Sequence, residues 1–147
     1  MDILNYHQLS PLLATSGQPT QAQFQKIAAA GYQVVINLAL TTSSNAIEYE
    51  DTVVLANSMQ YVHLPISWDQ PHLTDFVLFA RVLSQLVQQK VWIHCAKNMR
   101  VSCFMYLYQK HVLKYAESEA CYPMSVIWQP EGAWMQLIAD VDQYYAQ

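Results

Sequence analysis

The sequence predicts a three-layer α/β/α fold around a central, mostly parallel sheet of four or five strands. Three observations point to it. Short β-branched runs alternate along the chain with longer segments of helical periodicity. Such alternation needs crossover connections, which set the strands parallel and put helices on both faces. The runs are also brief and apolar throughout, as strands covered on both faces are.

The elements follow in order. Leu12-Leu13-Ala14-Thr15 is a short apolar run closed by Ser16-Gly17-Gln18-Pro19, a strand and a turn. Residues 20–30 set Phe24, Ile27 and Ala28 on one helical face, with Gly31 as the stop. Residues 33–38 (Gln-Val-Val-Ile-Asn-Leu) read as a buried strand, 41–45 as a polar loop, and 48–59 as a helix with Val53, Val54 and Ala56 apolar. Tyr61-Val62-His63-Leu64 is another strand. Residues 65–71 form an irregular loop bearing Trp68 and Asp69. Thr74 is a good N-cap and Asp75 suits the positive first turn of a helix running to Gln89 through Phe76, Phe79, Leu83 and Leu86. Val91-Trp92-Ile93-His94 is a strand. Residues 100–113 are helical, with Phe104, Leu107 and Val112 at the right spacing, and a last helix spans roughly 132–145, burying Trp134, Leu137, Ile138 and Val141.

Composition bounds the function. A chain of 147 residues that is 53% hydrophobic predicts one domain over residues 1–147 with a core that needs no staples. The low charge and dense apolar content exclude intrinsic disorder. The most apolar stretch, residues 76–87, carries Arg81 and Gln85, so no membrane span is expected. Met1-Asp2-Ile3-Leu4-Asn5 lacks the pattern of a secretory signal, and three cysteines do not make a disulfide framework; both features suggest the cytoplasm. A net charge of −4 argues against a nucleic-acid partner. Six of the seven strong bases (Arg81, Lys90, Lys97, Arg100, Lys110 and Lys114) nevertheless fall in the acid-free segment between Asp75 and Glu117. That segment is either a solvated helix face or a local field that attracts an anion.

Parallel α/β sheets hold ligands at the carboxyl ends of their strands. This points to Ser16, Ala39, the Trp68 loop and Cys95. The strand ending at His94 delivers Cys95 into the short loop Ala96-Lys97-Asn98-Met99, and a helix starts as the loop ends. Backbone N–H groups of such a loop converge on an anion and favour a thiolate. Arg100 adds a two-pronged donor matched to phosphate oxygens, and Lys97 adds a looser cation. Taken alone, Cys95 could be a small buried residue at a strand end. Cys103 falls inside a predicted helix and reads as packing, and Cys121 lacks comparable flanks.

His94-Cys95…Arg100 with Ser102, after a buried strand, resembles the signature loop of the cysteine-based protein tyrosine phosphatase superfamily. It is most similar to small bacterial members related to the phosphatase part of beta-lactamase hydrolase-like proteins. Thr15-Ser16-Gly17-Gln18-Pro19-Thr20 resembles the family's opening turn, Val35-Ile36-Asn37-Leu38 its second strand, Trp68-Asp69-Gln70-Pro71 its acid-bearing loop, and Pro130-Glu131-Gly132-Ala133-Trp134 the start of its last helix. The resemblance implies a phosphatase-like fold and a phosphomonoester hydrolase of tyrosine or dual-specificity type, with no metal or other cofactor. Its substrate would be a phosphorylated protein or a small phosphomonoester. Cys95 would attack phosphorus and carry a thiophosphate intermediate. Arg100 and the N–H groups of Ala96, Lys97, Asn98, Met99 and Val101 would hold the oxygens. Asp69 would serve as acid and then base. Ser102 would donate to the departing thiolate, His94 would orient the loop, and Trp68 would be a hinge or lid residue.

The loop departs from the common pattern. Four residues rather than five separate Cys95 from Arg100, Asn98 stands where glycine is usual, and Ser102 follows Arg100 by two. Asparagine is the best non-glycine residue for a left-handed backbone, so the turn is expected to survive. A rhodanese-like sulfurtransferase, which shares the four-residue spacing, and a non-catalytic phosphate-binding module stay open. Neither substrate identity nor oligomeric state can be read from these residues.

Overall fold

Five short extended segments pair into one sheet in the computed structural model, which describes residues 1–147. They are β1 (His7–Ser10), β2 (Leu13–Ser16), β3 (Val34–Asn37), β4 (Gln60–His63) and β5 (Val91–His94), in the order β1-β2-β5-β3-β4. β2, β5, β3 and β4 run parallel, and β1 adds an antiparallel edge. The sequence reading omitted β1. Three of its four residues are polar, Gln8 and Ser10 are exposed, and its register breaks between those two, so it has no local signature of a strand.

Seven helices cover the sheet: α1 (Gln21–Ala29), α2 (Glu50–Ala56), α3 (Leu73–Ser84), α4 (Met99–His111), α5 (Glu117–Ala120), α6 (Met124–Ile127) and α7 (Ala133–Tyr145). The two-residue period of the strands sorts side chains between two cores. Ala14, Val35 and Trp92 pack with Phe24 and Ile27 of α1 and Val54 of α2. Val34, Ile36, Val91 and Ile93 pack on the other face with α3, α4 and α7. This sorting carries through the end of β5. Trp92 and His94 face α1 and α2, and His94 meets Phe24 edge-on. Cys95 belongs to the opposite core.

The helix ends show which local signals prevailed. α1 starts with a capping box: Thr20 Oγ1 accepts from the Gln23 N–H, and the Gln23 side chain reaches back to the Thr20 N–H. α3 is not capped by Thr74, which lies in its first turn. His72 is the N-cap, and Asp75 Oδ2 accepts the His72 N–H at 2.9 Å. α3 also stops at Ser84, short of Gln89, because Gln85 and Leu86 tighten to i→i−3 bonds with Val82 and Leu83. α2 is trimmed at both sides by left-handed residues, Tyr49 (φ 57°) and Ser58 (φ 61°). α5 and α6 hold four residues each, too few for periodicity to reveal. They cover α4, which is buried from Arg100 to Gln109. No helix is long and apolar enough to cross a membrane.

Phe104 is the aromatic hinge of the larger core, edge-on to Phe79 at 5.3 Å and to Phe76 at 5.6 Å. Phe104→Ala should cost about 3–5 kcal/mol, read as a lowered urea midpoint at unchanged slope.

Candidate active site

Between β5 and α4 the backbone turns its two kinds of polar group in opposite directions. The carbonyls point into the protein. Cys95 O faces His94 Nδ1 at 3.1 Å. Ala96 O accepts from the Gln18 N–H at 3.0 Å and from Asn45 Nδ2 at 2.9 Å. Lys97 O accepts from Asn5 Nδ2 at 2.9 Å, and Asn98 O from the Ser102 N–H at 3.1 Å. The amides do the reverse: no N–H from Ala96 through Val101 donates to a protein acceptor. They belong to the loop and to the first turn of α4, where the helix end is positive. This is the geometry of an anion-binding nest.

Asn98 makes the turn possible. Its φ of 64° and ψ of 15° are left-handed, a conformation that asparagine tolerates better than other side-chain-bearing residues. Unlike glycine, it also ties the loop down: its buried amide donates to Asn5 O at 2.8 Å and to Thr15 Oγ1 at 3.1 Å. Gly17 backs the loop from the other side. A Cβ there would lie 2.8 Å from Ala96 O and 3.0 Å from the Leu4 side chain.

Cys95 and Arg100 open into one cleft of about 220 Å³, with Trp68, Ala96, Lys97 and Met99. The Arg100 side chain is only 7% exposed, no carboxylate lies within 4.0 Å of it, and its Nε has no hydrogen-bond partner. A buried, unpaired guanidinium is costly unless an anion completes it. Its other neighbour is the Trp68 ring, 5.7 Å from Cζ. Trp68 is held in turn: its carbonyl accepts from Trp134 Nε1 at 2.9 Å, and its ring packs against Trp128 and Trp134.

The remaining predicted residues fall at varied distances from this centre. Asp69 is exposed and has no hydrogen-bond or ion-pair partner. It lines an adjoining cleft of about 500 Å³ with Trp68, Met99, Trp128, Glu131 and Trp134; the two clefts meet at Trp68 and Met99. The Ser102 hydroxyl donates to Met99 O at 3.1 Å and accepts from Trp128 Nε1 at 3.0 Å, so its proton is engaged by the loop carbonyl. The Val101 side chain is core. Of the six clustered bases only Lys97 and Arg100 line the cleft. Lys90 donates to Ala30 O, Lys110 pairs with Asp142, and Arg81 stands in the last turn of α3. Burial pushes the Cys103 thiol up to about 12, so it packs as a neutral group.

Glu50 escaped the sequence reading. From the first turn of α2 its Oε2 meets His94 Nε2 at 2.6 Å, and Oε1 accepts from Gln18 Nε2 at 2.7 Å. It is only 7% exposed. Burial pushes its carboxyl up, but the hydrogen bond and charge of His94, with Gln18 and Tyr61, outweigh burial and hold it below its ordinary value. Only contacts across tens of residues could have disclosed it.

No protein-family model and no curated protein matches the sequence. Solved structures do. A candidate phosphatase (DUF442) from Shewanella putrefaciens CN-32 is 32% identical, with a TM-score of 0.87, over 98% of this chain and 95% of that one. TpbA of P. aeruginosa, solved with pTyr, is similar at 17% identity and a TM-score of 0.74, over 97% of this chain and 89% of its own. PTPMT1, solved with PI(5)P, is similar at 11% identity and a TM-score of 0.77, over 96% of each chain. The last two likenesses carry the fold alone.

Two outcomes follow. Gly17→Ala should force the Ala96 carbonyl aside and cost roughly 1–3 kcal/mol, seen as a lowered melting temperature. A carboxyl held low stabilises the fold above its unfolded value and loses that contribution as pH falls through its folded one. Denaturant titrations between about pH 5 and about pH 3 should therefore show the wild-type protein losing stability more steeply than Glu50→Gln.

Proposed function

Since the chain belongs to the DUF442 family within the cysteine-based protein tyrosine phosphatase superfamily, we propose that it is a cysteine-dependent phosphomonoester hydrolase, one domain over residues 1–147. A single observation supports this most: a buried guanidinium without a protein partner shares a cleft with a thiol and a ring of undonated amides. The dianionic phosphoryl group answers all three.

In the first step the Cys95 thiolate forms a sulfur–phosphorus bond as the bond to the leaving oxygen breaks. Asp69 gives its proton to that oxygen. In the second step water attacks phosphorus, the sulfur–phosphorus bond breaks, Asp69 takes the proton from water, and orthophosphate leaves. Arg100 and the N–H groups of Ala96 to Val101 hold the equatorial oxygens through both steps. No step requires a metal or an organic cofactor. Asp69 reaches the leaving group across the junction formed by Trp68 and Met99, where the two clefts meet. Those walls are apolar and aromatic and suit an aryl leaving group, as in a phosphorylated tyrosine or a small aryl phosphate. His94 lies on the opposite face of β5 from the sulfur, so it positions the loop rather than moving protons. The three free cysteines fit a compartment that keeps thiols reduced.

Hydrolysis of an aryl phosphate and, separately, sulfur transfer from thiosulfate to cyanide test this. Cys95→Ser should lower phosphate hydrolysis by at least about a thousandfold. Arg100→Lys should lower it by about 10²–10³-fold. Asp69→Asn should keep vanadate binding, lower turnover by about 10²–10⁴-fold and remove the alkaline limb of the pH–rate profile. Turnover that survives in Cys95→Ser overturns the nucleophile assignment, sulfur transfer without hydrolysis marks a rhodanese-like enzyme, and anion binding with neither activity marks a binding module.

A further inference from the structure

The Glu50–His94 pair has no part in the two chemical steps, yet it is buried beneath the reactive loop, with the ring fully enclosed and Glu50 at the inner wall of a pocket lined also by Gln18, Tyr61 and His63. Hydrogen-bond valence narrows the state of the pair to a charged ring on a carboxylate or a neutral ring on a carboxylic acid, and the donors around Glu50 that hold its carboxyl low select the first. His94 Nδ1 faces the Cys95 carbonyl at 3.1 Å, and a carbonyl can only accept. Nε2 faces Glu50 Oε2 at 2.6 Å, and an ionised carboxylate can only accept. Both ring nitrogens must then donate, which a neutral imidazole cannot do.

We infer that Glu50 is a positioning residue of the Cys95 site: its carboxylate holds the His94 ring as an imidazolium, whose second N–H is spent on the Cys95 carbonyl. This inference rests on the reading of Cys95 as the nucleophile. Three consequences follow from the geometry. The ring orientation is locked, because both of its nitrogens are engaged and Phe24 covers its edge. A full positive charge lies one hydrogen bond from the peptide of Cys95, where it polarises that peptide and favours charge on the sulfur beyond it. The carboxylate also joins two supports of the loop, since it binds Gln18, whose own N–H holds Ala96 O.

Glu48 and Asp51 line one pocket with Glu50, Tyr61 and His63, but no carboxylate other than Glu50 lies within 4.0 Å of the His94 ring nitrogens. α2 brings Glu50, α1 brings Phe24, and β2 and β3 bring the neutral Ser16 and Asn37 in register with His94. β4 brings Tyr61, whose hydroxyl burial pushes up so that it stays neutral, and His63, in register with Asn37 and bonded to Ala39 O at 2.7 Å. Cys95 is the next titratable group along the chain. Glu50 is therefore the one carboxylate placed to balance the imidazolium.

Long-range proton–nitrogen NMR of the 15N-labelled wild-type protein at pH 7.5 reads the state directly, with His94 assigned by the loss of its signals in His94→Asn. Both ring nitrogens should resonate as N–H; a single protonated nitrogen overturns the inference. Alkylation of Cys95 by iodoacetamide across pH gives the second reading, and it does not depend on phosphatase turnover. Glu50→Gln keeps a hydrogen bond to the ring without the charge. It should slow alkylation at pH 6 by about tenfold, leave the plateau at high pH in place, and lower kcat with little change in KM. An unchanged alkylation profile in folded Glu50→Gln overturns the inference. If that variant does not fold, the wild-type spectrum decides alone. If the spectrum and alkylation come out as expected while aryl phosphate is not hydrolysed, the phosphatase reading fails and the positioning role stands.

Discussion

One constraint organises this molecule: the backbone after β5 sends the carbonyls of Cys95 to Asn98 into the protein and leaves the amides of Ala96 to Val101 free. Carbonyls turned inward need donors on the protein side, because buried carbonyls must be paired. Three of the donors come from far along the chain: Asn5 lies before the sheet, Gln18 in the turn after β2 and Asn45 in the loop before α2, while His94 adjoins the loop at the end of β5. Much of the remaining architecture can be read as the means of bringing those donors to one rim of the sheet.

The parallel sheet is what makes that rim. Because β2, β5, β3 and β4 run the same way, their carboxyl ends meet at one edge, and the turns that follow them become neighbours. The same pleat that sorts apolar side chains between two cores separates His94 from Cys95, so sulfur and imidazole work from opposite sides of one strand. On the sulfur side three indoles pack together, and Trp68 among them lines the cleft itself. Trp134 fixes the Trp68 carbonyl, Trp128 takes the Ser102 hydroxyl, and the Trp68 ring covers Arg100.

The sequence disclosed these features unequally. The parallel strands were readable because brief β-branched runs admit few other folds, and Asn98 was readable as left-handed because few residues tolerate that conformation. Cys95 and Arg100 stood out through their flanking strand and helix. Glu50 did not, since its neighbours in sequence are those of an ordinary acidic helix start and its meaning lies in a partner 44 positions away. Thr74 misled for a related reason: the N-cap is His72, two residues earlier, and it is fixed by Asp75, whose side chain reaches back to it. Asp69 was correctly placed after a strand, but its position in the adjoining cleft depends on how Trp68 packs, which no local pattern encodes. β1, α5 and α6 were too short or too polar to register.

The ties of the loop also fix when the ring of amides can form. Asn5 exchanges hydrogen bonds with Lys97 and Asn98 across 92 and 93 positions of chain. Closing so wide a circuit is slow and comes only after local helices have formed. Until the first residues have come home, no ring of amides surrounds Cys95. The anion cradle is thus absent from a nascent or half-folded chain and is acquired together with the finished fold.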